Sequence, residues 1–116
     1  MRDNIHPAGT MTPWGPSQDA RVVAPGITFH STASHGGYHL SPERYAQMPE
    51  GFKETFAGGP WYEEDCDAAM VILVFEDELG DISGLAAACH DIVRRFRPDA
   101  YRQFMEAKQE GVLNHA

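Results

Sequence analysis

The segment from Asp81 to Phe96 constrains the fold most. Ile82, Leu85, Ala86, Cys89, Ile92, Val93 and Phe96 recur at steps of three and four residues. That spacing puts them on one stripe of an amphipathic helix, which needs a partner to cover it. Asp81 stands where a side-chain cap belongs. The stripe predicts burial of Leu85, Cys89, Ile92 and Phe96, and places His90 off it, facing solvent. Arg97-Pro98 ends the run, and Pro98 suits the first turn of a second helix. There Tyr101, Phe104 and Met105 form the next stripe, up to Gly111.

Strand chemistry occupies the other half. Arg21 to Thr32 is rich in Val, Ile, Thr and Phe and is divided by Pro25-Gly26, a turn dipeptide. A β-hairpin is expected there. Ser34 to Tyr38 reads as a loop because of Gly36-Gly37. Ser41, Pro42 and Glu43 are an N-cap, a first-turn proline and a dipole-complementing acid, so a short helix is expected over Pro42 to Gln47. Gly51 to Pro60 reads as a loop with Phe52 and Phe56 tucked inward. Tyr62 to Phe75 is ambiguous. Its acids suit a helix start, while Val71, Ile72 and Val74 suit a strand. Length and the lack of a breaker favour helix. Residues 1–13 read as a flexible arm, with Trp14 as the first anchor, residues 14–110 as one domain and 111–116 as a tail. The expected class is α+β: a small hairpin or sheet packed against three to four helices around one core.

Charge narrows the function. The formal net charge of the 116 residues is −8. Binding duplex DNA needs lysine and arginine to displace counterions, so none is expected. An acidic surface suits a basic partner instead. Eight acids and no Lys or Arg lie between Glu63 and Asp81, while five of the nine basic residues lie between Arg94 and Lys108. The longest apolar run, Ala68 to Phe75, is too short to span a bilayer. The N-terminus shows no signal pattern, and two cysteines make no disulfide scaffold, so a cytoplasmic protein with free thiols is expected.

Two strings carry the candidate chemistry. His35, Gly36, Gly37 and Tyr38 could set an imidazole beside backbone N–H groups. Tyr62, Glu63, Glu64, Asp65 and Cys66 could form a carboxylate-rich patch, extended by Glu76, Asp77 and Glu78 after the apolar run. Two unusual strings in one small domain are expected to lie side by side. Read as a binding surface, they call for no cofactor. Read as an enzyme, they offer His35, Cys66 and Glu64 as a catalytic set, a thiolate beside an imidazole. The neighbouring acids oppose this by favouring the protonated thiol. His35, His39 and Asp65 could instead ligate a metal, although no paired spacing fixes the geometry. The plainer account of these residues is a tight turn and a dipole-complemented helix start.

Thr12-Pro13-Trp14-Gly15, Thr32-Ala33-Ser34-His35-Gly36-Gly37, Leu40-Ser41-Pro42-Glu43-Arg44 and Trp61-Tyr62-Glu63-Glu64-Asp65-Cys66 together resemble a family of uncharacterised domains of phages, plasmids and other bacterial mobile elements. The resemblance runs from about Thr12 to about Phe104. It implies a small accessory protein and no particular reaction. The expected role is binding and inhibiting or modulating a host protein or ribonucleoprotein with a basic surface, as anti-restriction and anti-CRISPR proteins do. The alternatives are a small hydrolase or metal-dependent enzyme, and a structural or assembly subunit.

Overall fold

The computed structural model describes residues 9–64, 66–80 and 85–110. The expected cap Asp81, the stripe residue Ile82, the acid Asp65 and the 111–116 tail lie outside them. The chain is α+β. Strands β1 (Met11–Thr12) and β2 (Gly15–Pro16) form a small hairpin. Four antiparallel strands follow in spatial order: β3 (Asp19–Ala24), β4 (Ile27–Ser31), β5 (Gly36–Leu40) and β6 (Trp61–Glu63). Helices α1 (Pro42–Gln47), α2 (Cys66–Val74), α3 (Glu76–Leu79), α4 (Ala86–Phe96) and α5 (Pro98–Gln109) complete it, with a 3-10 turn at Glu50–Phe52. Met11 and Thr12, expected in a flexible arm, are paired residues instead.

Pro25-Gly26 makes the β3–β4 turn as its chemistry predicts. Gly26 sits at φ +80°, and a side chain there would strike Ser41 Oγ at 2.6 Å. Ser41 is also the α1 N-cap: its hydroxyl accepts from the Arg44 amide.

The sheet is larger than the expected hairpin because the Ser34–Tyr38 loop is mostly strand. Gly36 and Gly37 are extended and buried, and their role is close approach rather than unusual φ. A Cβ on Gly36 would lie 2.9 Å from the His30 carbonyl oxygen, and one on Gly37 would lie 2.5 Å from that of Tyr62. Only a bare backbone fits.

Helix α2 is the core element. All its residues but Cys66 are buried, so its apolar surface runs all round rather than along a stripe. It packs between the sheet and α4. Ile27, Leu40 and Tyr62 meet it from the sheet, and Cys89, Val93 and Phe104 complete the core from α4 and α5. The β-branched run Val71–Ile72 is therefore helical, because burial outweighs strand propensity.

The α4 stripe is narrower than expected. Cys89 and Val93 are buried, Ile92 and Phe96 are half-buried, and Leu85 is exposed just before the helix begins. Phe52 is buried as expected, but Phe56 is 82% exposed. No helix among the described residues is long and apolar enough to cross a membrane.

Candidate functional site

The two strings meet at the sheet edge. Strand β6 is one of the two edge strands of the four-stranded sheet, and it pairs with β5 in the register Gly37↔Glu63, Tyr38↔Tyr62, His39↔Trp61. The Glu64 amide donates to the Gly36 carbonyl at 2.8 Å, extending the ladder past the strand end. His35 Nδ1 lies 3.5 Å from Glu63 Oε2. His35, Gly37 and Glu63 thus share one face, as strand alternation requires. Thr32 shapes the approach: its hydroxyl donates to the His35 carbonyl at 2.6 Å and accepts from the His35 amide.

Aromatic rings hold the same face. Trp61 meets Trp14 edge-on at 5.9 Å and lies 4.5 Å from the His39 ring and 5.6 Å from the His30 ring. His30 Nδ1 is 2.8 Å from Ser17 Oγ. Trp14 is the anchor its position suggests, and it lies over Gly37, where a side chain would strike its ring.

The candidate residues thus divide into roles. His35, Glu63 and Glu64 reach the surface together. Gly36, Gly37, Tyr38 and Tyr62 are buried beneath them. Tyr38 stacks edge-on against Phe29 at 5.1 Å on the helix side of the sheet. The Tyr62 hydroxyl donates to the Phe52 carbonyl at 2.7 Å, and burial pushes its phenol far above its ordinary value. These two tyrosines build the site without being presented by it.

The acids after the apolar run do not form an unpaired patch. Glu78 receives two hydrogen bonds of 2.6 Å from the Arg44 guanidinium. Arg44 also donates from Nε to the Pro25 carbonyl and covers the Phe75 ring at 5.0 Å. Glu76 lies 3.2 Å from both His90 Nε2 and Lys108 Nζ. Burial alone would push the Glu76 carboxyl up, but these hydrogen bonds outweigh it and hold the group below its ordinary value. His90, expected to face solvent, is half-buried and also touches the Tyr101 hydroxyl at 3.0 Å. The counter-charges come from distant segments, which a local charge count does not see. Asp77 alone of the three remains exposed without an ion pair among the described residues.

Of the alternative catalytic and metal sets, Asp65 lies outside the described residues. The His35 imidazole turns to Glu63, and no hydrogen bond joins it to Cys66 among the described residues. His39 lies on the same face but is buried against Trp61, whereas His35 and Glu63 reach the surface. No cluster of three His, Cys, Asp or Glu side chains arranged for a metal occurs among the described residues.

One residue of this region, Asp67, has no place in the sequence analysis, and another, Phe56, was expected to be buried. Asp67 is 1% exposed, and its Oδ2 accepts from the Phe56 amide at 3.0 Å. Burial pushes its carboxyl above the ordinary value, while that hydrogen bond and the Arg97 charge pull the other way. Phe56 stands exposed beside it. The available signal was a carboxylate set immediately before an unbroken apolar run, where burial follows from the helix it begins.

The chain belongs to a family described as a domain of unknown function (DUF7007), whose sequence model matches residues 7–115. No curated protein and no solved structure matches it.

Proposed function

We propose that the protein is an accessory binding protein that docks a basic host partner, a protein or a ribonucleoprotein, on the acidic rim where β5 meets β6. Covering that partner's basic surface is how it would inhibit or modulate it, in keeping with the mobile-element resemblance of its motifs. The observation that carries the reading is the uneven fate of the acids. Glu76 and Glu78 are ion-paired within the fold, Glu76 with Lys108 and Glu78 with Arg44, and Glu76 also meets the His90 ring. Glu63 and Glu64 are half-exposed at the sheet edge, and among the described residues neither forms an ion pair with lysine or arginine. The net charge of −8 adds a long-range field that steers a basic partner to the rim.

The test is affinity capture of host proteins with the tagged chain at low and at high salt, repeated with Cys66→Ala. A docking protein holds a discrete basic partner that salt releases, and Cys66→Ala still holds it, because removing one thiol takes no charge from the rim. Salt-insensitive capture, or loss of function on removing the Cys66 thiol from a folded protein, would favour the enzyme reading.

A further inference from the structure

Beside the rim lies a pocket of about 230 Å³ lined by Phe56, Glu63, Glu64, Cys66 and Asp67. It is smaller than the roughly 300–1,000 Å³ of small-molecule sites, so it fits a side-chain head group better than a metabolite. Asp67 supplies an observation independent of the acid cluster. Its carboxyl is almost fully buried, and Oδ1 has no hydrogen-bond partner among the described residues. A buried carboxylate oxygen without a donor is costly, and native structures rarely keep one unless something else supplies the donor. The nearby Arg97 does not do so. Its guanidinium donates to the Glu54 and Gly51 carbonyls instead.

We infer that this pocket binds the guanidinium of an arginine side chain presented by the basic partner. The inference rests on the docking reading above and names the group that anchors it. Phe56 offers an exposed ring on which a flat cation can stack. Glu63, Glu64 and Asp67 line the pocket with carboxylate acceptors, which suit a planar head group with five N–H donors. Burial disfavours the lone Asp67 carboxylate, and a guanidinium beside it would relieve that cost by pairing with the ionised form. The carboxylates are not clustered as a metal site requires, and a wide, flat cation does not need them to be.

The probe is acetyl-Gly-Arg-Gly-amide, titrated into the isotope-labelled full chain and followed by NMR. Saturable shifts are expected at the amides of Phe56, Glu64, Cys66 and Asp67. The neutral citrulline isostere should leave them unmoved. Asp67→Asn and, independently, the surface change Phe56→Ala should each weaken binding by about tenfold in a protein with an unchanged spectrum elsewhere. Absence of saturable shifts, equal response to citrulline, or full binding by both variants would overturn the inference. So would equal binding of the lysine peptide, which would mark a general cation site, or the same shifts with magnesium chloride alone, which would mark a metal site. If the arginine peptide fails while the basic partner still binds through Glu63 and Glu64, the pocket inference falls alone. If the pocket binds arginine but the partner ignores both glutamates, the docking reading falls.

Discussion

At the scale of single residues, the diglycine is the clearest case of a legible position with a misread cause. Gly36-Gly37 stood out in the sequence, but as a loop with special backbone angles. In the fold both residues are extended, and the requirement is room. Gly37 is closed in by the Tyr62 carbonyl, the Glu63 backbone and the Trp14 ring. Nothing in a single sequence separates a glycine chosen for φ from one chosen for the absence of Cβ. The distinction makes a prediction. Gly37→Ala must push β6 and Trp14 away, so it should destabilise the protein by roughly 1–3 kcal/mol, as overpacking does. Denaturant unfolding measures the loss, and tryptophan fluorescence should report a wetter Trp14 in the folded state. An unchanged midpoint and spectrum would show that the β5–β6–Trp14 packing is looser than described. Phe56 was misread for a related reason. An aromatic residue in a loop is presumed buried, and only its neighbours decide otherwise.

Elements defined by local chemistry were the most legible. The α1 bounds follow from Ser41, Pro42 and Pro49, and the β3–β4 turn follows from Pro25-Gly26. The α4 stripe gave the helix but not its depth, because spacing sets direction while neighbours set burial. Leu85 therefore stayed exposed although its period fits the stripe. Ion pairs between distant elements were not legible. Glu76 on α3 meets His90 on α4 and Lys108 on α5, three segments that share no local motif. This junction should titrate. The folded Glu76 carboxyl lies below its ordinary value near 4.5, so its stabilisation is complete above that pH and is lost as pH falls through the folded value. Glu76→Gln should cost about 1 kcal/mol at neutral pH, a modest figure because Lys108 and Glu76 are partly solvated. The gap between variant and wild type should close on acidification. Thermal unfolding from neutral to strongly acidic pH checks this, and a gap that persists or widens in acid would contradict the junction.

For the whole molecule, the excess of acid means less than its sum implied. Sequence position separates acids from bases, but folding brings Arg44 to Glu78 and Lys108 to Glu76. Folding thus leaves Glu63 and Glu64 at the β5–β6 rim without a lysine or arginine partner among the described residues. The class of fold, the single core and the meeting of the two strings were all readable in advance. The identity of the charges left over was not, because pairing is a long-range property. For that reason reversal at Glu76 or Glu78 would confound docking with folding, and Glu63 and Glu64 are the positions that isolate it. The most direct measurement is the association rate of a captured basic partner with wild type and with Glu63→Lys/Glu64→Lys, each folded and measured across a salt series. The account predicts association slowed about tenfold or more at low salt, with the two proteins converging as salt screens the field. Equal rates for wild type and the double reversal at low salt would contradict it.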